Sequence, residues 1–272
     1  MSSIILATST VATIGIICAV MLAVASKIMH VAVDERVERI REALPDANCG
    51  ACGFAGCDGY AEALVSGEGT ATNLCVPGSE AVSRAISDVL GVEFVDVIEH
   101  VAVVKCGGVI GISAQNADYE GIDTCLAAKQ LYGGQRSCRY GCLGHGDCAA
   151  ICPNNAICIE NGIAHVDTRR CIGCGMCVKA CPKGIIAVVP DSVETVVWCS
   201  SYEKGADTRI ACSAGCIGCK RCEKECHSQA ITVENNLAVI DYDKCTHCGR
   251  CAEVCVTHCI KVADFRGIHN RP

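Results

Sequence analysis

The sequence predicts an α+β chain: a single N-terminal transmembrane helix, a small helical domain bearing cysteines, and two tandem copies of a compact cysteine-rich module. Three observations carry this expectation. No charged side chain occurs between Met1 and Ser26. Of 272 residues, 27 are cysteine, and those in the C-terminal half recur at a constant offset. Aromatic residues make up only 4% of the chain, too few for a protein of this length to pack its interior around rings.

A cysteine content near one in ten usually marks a small secreted disulfide scaffold. Such folds rarely need more than about 80 residues, and an odd number of cysteines pairs poorly into bridges. A hydrophobic fraction of 51% excludes disorder. The formal charge of −7 gives nucleic-acid binding no electrostatic support.

Residues 1–29 read as the anchor. Ile4–Val24 is an apolar run of 21 residues, which at about 1.5 Å per residue spans roughly 30 Å, one bilayer core. Ala23-Val24-Ala25 superficially resembles a signal-peptide cleavage site. The run lacks a basic start, however, and exceeds the ~7–15 residues of a signal peptide's apolar core. Lys27, Arg36, Arg39 and Arg41 follow the run and no basic residue precedes it. The positive-inside rule therefore predicts a single-pass protein of the cell (inner or plasma) membrane with its cysteine-rich bulk in the cytoplasm. Thiols there stay reduced and more often bind metal than pair.

Residues 30–44 place Val33, Val37, Ile40 and Leu44 at helical spacing, predicting an amphipathic linker helix. Residues 45–91 hold four cysteines among small residues, and Ser79 to Leu90 reads as a helix ended by Gly91. Residues 92–135 are a connecting region with an apolar run, Val101–Val104. The first module is expected at 136–190, a connector at 191–210, the second module at 211–264 and a frayed tail at 265–272.

The modules are an internal repeat. Ala156-Ile157 matches Ala230-Ile231, Glu160-Asn161 matches Glu234-Asn235, and Asp167 matches Asp241. The offset of 74 residues maps Cys142 to Cys216, Cys148 to Cys222, Cys174 to Cys248 and Cys181 to Cys255. It also maps Cys125 to Cys199 and Cys138 to Cys212. Asn161-Gly162 and Asn235-Asn236 favour positive φ, so each predicts a tight hairpin turn.

The spacing carries the chemistry. Cys171-x2-Cys174-x2-Cys177-x3-Cys181-Pro182 fits the bacterial ferredoxin run, as do Cys216-x2-Cys219-x2-Cys222-x3-Cys226 and Cys245-x2-Cys248-x2-Cys251-x3-Cys255. Three thiolates on one tight loop reach three irons of one cubane, and the fourth cysteine ligates the partner cluster. Zinc sites use paired cysteines or Cys/His sets rather than repeated runs of four. Residues 136–262 therefore read as two tandem bacterial-type two-cluster ferredoxin modules. The expected [4Fe-4S] ligand sets are Cys152, Cys171, Cys174 and Cys177; Cys216, Cys219, Cys222 and Cys255; and Cys226, Cys245, Cys248 and Cys251.

The first run departs from the pattern: Cys138-x3-Cys142-x5-Cys148-x3-Cys152-Pro153, with His145 where the third run has Cys219. Either Cys138 supplies the missing thiolate or His145 is a ligand. Histidine ligation is mainly a Rieske feature, so the expected set is Cys138, Cys142, Cys148 and Cys181.

With these motifs in place, the chain resembles the B-type iron–sulfur subunit of Rnf complexes, membrane-bound ferredoxin:NAD oxidoreductases coupled to ion pumping. Asn48-Cys49-Gly50-Ala51-Cys52-Gly53 and Gly56-Cys57-Asp58-Gly59-Tyr60-Ala61 carry the resemblance at 45–91. There the spacing Cys49-x2-Cys52-x4-Cys57-x17-Cys75 matches the family's separate four-iron domain. The resemblance implies that Cys49, Cys52, Cys57 and Cys75 hold a fifth cluster. It also implies an electron-transfer component of a translocase, with soluble ferredoxin as donor and other Rnf-type subunits as partners. In that reading ferredoxin docks on the distal modules, and the 45–91 domain passes electrons to membrane subunits. A free-standing membrane-anchored polyferredoxin is the alternative, and an iron–sulfur regulatory or storage protein a third.

Seven cysteines remain outside the five sets. Cys18, Cys158 and Cys259 read as structural. Cys106, Cys125, Cys199 and Cys212 flank the duplicated units, and Cys125-x12-Cys138 equals Cys199-x12-Cys212 in spacing. These four are expected either to converge on a sixth cluster between the modules or to be buried free thiols left by duplication. Gly107-Gly108 and Gly133-Gly134 lack dinucleotide fingerprints, so no nucleotide or flavin is expected, and no catalytic residue is identified. Lys179, Lys183, Lys220, Arg221 and Lys224 lie among the ligands, either as solvated helix faces or as a docking patch for an acidic ferredoxin.

Overall fold

The computed structural model describes residues 2–28, 34–67 and 69–265; within the first helix, side chains are described for residues 9 and 12–25. Residues 30–33 of the expected linker helix and 266–272 of the expected tail lie outside the described residues. The first helix, α1, runs Ser2–Ile28. Its described apolar side chains, Ile16, Met21 and Leu22 among them, are exposed. Among the described residues no helix meets the length and hydropathy needed to cross a membrane.

Asp34 caps α2 (Glu35–Ala43), accepting the Arg36 N–H at 2.9 Å. The helix packs on α3 (Cys57–Val65) and α4 (Ser79–Leu90) around Ile40, Tyr60, Leu64 and Ile86. Gly91 ends α4 in the left-handed conformation at φ 68, which costs glycine little. The Tyr60 hydroxyl donates to Ala71 O at 2.8 Å and accepts from Leu74 N at 3.3 Å. That pins the loop leading to Cys75 over the helices. A core of this size is marginal without a staple.

The first module opens with β1 (His100–Val104), followed by α5 (Cys125–Gln130), α6 (Asp147–Ala150) and a hairpin of β2 (Ile157–Glu160) and β3 (Ile163–Val166). It closes with α7 (Met176–Ala180) and β4 (Ile186–Pro190). The second module runs β5 (Thr195–Val197), α8 (Gly205–Ala211), α9 (Arg221–Glu225), β6 (Ile231–Glu234), β7 (Leu237–Ile240), α10 (Arg250–Glu253) and β8 (Ile260–Val262). Both hairpins turn through two residues of positive φ, 48 and 76 at Asn161 and Gly162, 47 and 67 at Asn235 and Asn236. That geometry matches the twist of the flanking strands.

β1 and β5 fall in stretches read from sequence as connectors. Each pairs antiparallel with the last strand of its module: β1 with β4, placing Val101 against Val189, and β5 with β8, placing Val196 against Lys261. The apolar Val101–Val104 run is thus a closing strand whose partner lies far along the chain. Aliphatic residues and cysteines fill each module core. A third cluster, with Val101, Val103, Val189, Val196 and Phe265, joins the two modules.

Candidate metal centres

Six groups of four cysteines are placed by the fold. In the small domain, Cys57 opens α3, and its amide donates to the Asn48 side chain at 2.8 Å. This ties the Cys49–Cys52 loop to the helix start. Gly56 has φ 113, and a Cβ there would sit 2.9 Å from Asn48 Oδ1. Burial, and then the nearby Cys57, Cys52 and Cys49 sulfurs, push the Cys75 thiol up to about 11.

Cys152, Cys171, Cys174 and Cys177 line one cavity. Cys216, Cys219, Cys222 and Cys255 line another, with Cys259 on its wall. Cys226, Cys245 and Cys248 surround Cys251, whose thiol is pushed up to about 11 by burial and then by those neighbours. Backbone amides point at these sulfurs: Ala102 N at Cys171, Ala156 N at Cys152 and Ala230 N at Cys226, each 3.3 Å. The last two occupy equivalent places in the repeat.

The first run is built differently from the expectation. Spacing grouped Cys138 with Cys142, Cys148 and Cys181, and Cys125 with Cys106, Cys199 and Cys212. The structure exchanges Cys125 and Cys138. Cys125, Cys142, Cys148 and Cys181 line one cavity; Cys106, Cys138, Cys199 and Cys212 line another. The physical reason is the long excursion between β1 and α6. Residues 112–114 leave the first module and pair with the second, with Ala114 N on Ala211 O at 2.9 Å and Ser213 N on Ile112 O at 3.2 Å. On the return, Thr124 caps α5, and Asp147 accepts the Cys125 and Leu126 amides at 2.9 and 3.0 Å. This hangs Cys125 beside Cys148.

His145 occupies the Cys219 position of the repeat, but its ring is already engaged. Nδ1 meets Asp123 at 2.7 Å, Nε2 meets Gln135 Nε2 at 3.1 Å, and the ring packs edge-on against Tyr119. Equal spacing made Cys125 the counterpart of Cys199. The sulfur–amide bonds say otherwise: Cys142 N donates to Cys106 at 3.4 Å and Cys216 N to Cys199 at 3.2 Å. The shared signal was the apolar run ending in cysteine, Val103-Val104-Lys105-Cys106 and Val196-Val197-Trp198-Cys199.

Cys259, expected to be structural, sits in the core of the second module. It is buried, and its sulfur lies 3.5 Å from that of Cys255. A hydrogen bond from Cys259 holds the Cys255 thiol below the ordinary cysteine range. Cys158 and Cys18 are exposed. Lys179 and Lys183 are committed to structure. Lys179 Nζ donates to Cys49 O at 2.8 Å, joining the small domain to α7, and Lys183 holds Gly133 O and Arg139 O.

These cavities fit cubanes better than single ions. A zinc site gathers its sulfurs about 2.3 Å from one centre. Among the described residues, no group of three or more His, Cys, Asp or Glu side chains is arranged to hold a single metal ion. The cysteines instead ring a cavity, as thiolates bound to different irons must. Burial pushes Cys148 and Cys222 up to about 12. Such thiols ionise together only against a positive core, which iron supplies as protons leave.

Comparison with known proteins agrees. Residues 44–77 match a family profile described as "Putative Fe-S cluster", 164–187 a "4Fe-4S binding domain" and 215–259 a "4Fe-4S dicluster domain". The B subunit of the Na(+)-translocating ferredoxin:NAD(+) oxidoreductase complex of Acetobacterium woodii is 41% identical, over 90% of this chain and 74% of the relative. The proton-translocating counterpart of Clostridium ljungdahlii is 42% identical over 96% and 93%. The B subunit of the ion-translocating oxidoreductase complex of Methanosarcina acetivorans is 39% identical over 93% and 96%.

Proposed function

The chain belongs to the B-subunit family of ion-translocating ferredoxin:NAD oxidoreductase complexes, and on that premise we propose how its cysteines divide among clusters and where electrons enter and leave. It is an iron–sulfur electron-transfer subunit of such a membrane-associated complex and works with the other subunits. Five [4Fe-4S] clusters take Cys49, Cys52, Cys57 and Cys75; Cys125, Cys142, Cys148 and Cys181; Cys152, Cys171, Cys174 and Cys177; Cys216, Cys219, Cys222 and Cys255; and Cys226, Cys245, Cys248 and Cys251. When bound, they supply one-electron steps, and the protein tunes each potential by hydrogen bonds, charge and burial.

The single observation that carries the direction is the contact of Lys179 with the Cys49 carbonyl. It seats the small domain on the loop of the Cys174 set, so that domain is one end of the series. The other end is the second module, where Cys219 and Cys248 are exposed. Soluble reduced ferredoxin docks there, and the 45–91 domain hands electrons to membrane subunits. The exposed apolar face of α1 supports its role as a single-pass anchor, with the basic residues after it holding the cysteine-rich part in the cytoplasm.

Lys220, Arg221 and Lys224 are exposed around α9, beside Cys219. Each oxidised cluster adds about −2 in charge, so this local basic patch is what an acidic donor meets. Replacing all three with Glu is expected to raise the KM for reduced ferredoxin about tenfold at low salt. Salt dependence should flatten and iron content stay unchanged. Steady-state ferredoxin oxidation at several ionic strengths checks this; an unmoved KM would place docking elsewhere.

Cys259 tunes rather than ligates. Removing its hydrogen bond with Cys259→Ala is expected to keep all iron and lower the midpoint potential of the Cys216 set by on the order of 50 mV, one weak hydrogen bond on a one-electron couple. Iron assay and an EPR-monitored redox titration read both quantities. A loss of about four irons would make Cys259 a ligand instead.

A further inference from the structure

Between the two modules lies a cysteine-lined space that the five clusters leave unused. We propose that Cys106, Cys138, Cys199 and Cys212 hold a sixth [4Fe-4S] cluster that bridges the two modules. The inference rests on the electron-transfer reading above and gives that series its middle member.

Four observations support it. The space matches in size those at the Cys142, Cys171 and Cys216 sets. The four cysteines come two from each repeat, and Cys106, Cys199 and Cys212 are buried. The sulfurs are met by amides as in the ferredoxin sets. Cys142 N reaches Cys106 at 3.4 Å, while Cys216 N and Ser201 N reach Cys199 at 3.2 and 3.4 Å. The amides of Tyr140 and Ala214 reach Cys138 and Cys212 from equivalent places in the repeat. A pair of buried free thiols left by duplication has no need of such donors.

The fourth observation is a cation. Arg136 is 4% exposed. Its two terminal nitrogens donate to Gly108 O and Gly162 O, not to a carboxylate, and its Nε is buried with no partner. Gly108 lines the cavity, where an added Cβ would lie 3.4 Å from the Cys212 sulfur. A buried guanidinium is costly unless an anion compensates it. Four thiolates on a +2 core, net about −2, are such an anion.

The position gives the site its use. Cys106 receives its hydrogen bond from the Cys142 amide and Cys199 receives one from the Cys216 amide. The cavity therefore touches one cluster set of each module. The interface around it is knitted by Gly107 N to Trp198 O at 3.0 Å and by the pairing of Ser113 with Cys212.

The test uses the full chain, purified without oxygen. Native mass spectrometry and iron assay of the unmutated protein are expected to give six cubanes and about 24 irons, against about 20 for five. Cys138→Ala and Cys199→Ala should each lose about four irons and the same EPR signal, while Cys125→Ala loses a different one. About 20 irons in the unmutated chain, unchanged by Cys199→Ala, overturns the bridge and leaves the five-cluster series standing. Cys125→Ala and Cys199→Ala erasing one common signal overturns the ligand set. A count well below about 20 overturns the series as well.

Discussion

Cys52→Ala is expected to abolish ferredoxin-driven NAD+ reduction by the assembled complex while leaving ferredoxin binding unchanged. Cys52 belongs to the set nearest α1 in sequence, and its loop is the part of the small domain gripped by Lys179. Removing one of four thiolates forfeits the cluster and about four irons. The docking face proposed around Lys220 and Arg221 lies at the other end of the proposed series of centres. The three-helix core of Ile40, Tyr60, Leu64 and Ile86 also loses the metal that staples it. The domain should become sensitive to protease while the two modules stay resistant. Rapid mixing with reduced ferredoxin should still reduce the remaining clusters. NADH formation at the unmutated rate would remove this domain from the electron path.

Gly173→Ala is expected to cost about 3 kcal/mol or more and to empty the Cys171 set. Gly173 sits between Cys171 and Cys174 at φ 63, and an added Cβ would lie 2.5 Å from His100 O in β1. The left-handed conformation alone costs an L-residue about 1–2 kcal/mol. The overlap with a strand carbonyl must then push the loop off β1, where Ala102 N holds the Cys171 sulfur. Gly184 is the control, with φ 64 and open space around its Cβ position. Gly184→Ala should cost only about 1–2 kcal/mol and keep every cluster. Thermal unfolding with iron assay on both variants decides the matter. Equal behaviour of the two would show that close approach of the cysteine loop to β1 is not what shapes the site.

Local features were legible in the residues because local rules govern them. Asn161-Gly162 and Asn235-Asn236 need only their own positive φ to turn a hairpin. Ser79 to Leu90 is a helix ended by Gly91 at φ 68. The x2-x2 runs put three sulfurs on one loop, and the structure lines single cavities with Cys171, Cys174 and Cys177 and with Cys216, Cys219 and Cys222. Composition argued against a disulfide scaffold and against disorder, and the motifs carried the resemblance to the family that the relatives show.

Tertiary structure decided which distant groups meet. Cys125 and Cys138 are equally spaced from their repeat counterparts, so spacing could not choose between them. Asp147 binding the start of α5, and residues 112–114 pairing with the second module, separate the two cysteines into different cavities. The β1–β4 and β5–β8 pairings, the seat of Lys179 on the Cys49 loop and the burial of Arg136 are of the same kind. Each joins groups far apart in the chain, and its free energy comes from packing and desolvation that no short window of residues contains. The sequence by itself thus determines the kind of centre, four thiolates on tight loops; the packing of two repeats against each other determines which cysteines share one.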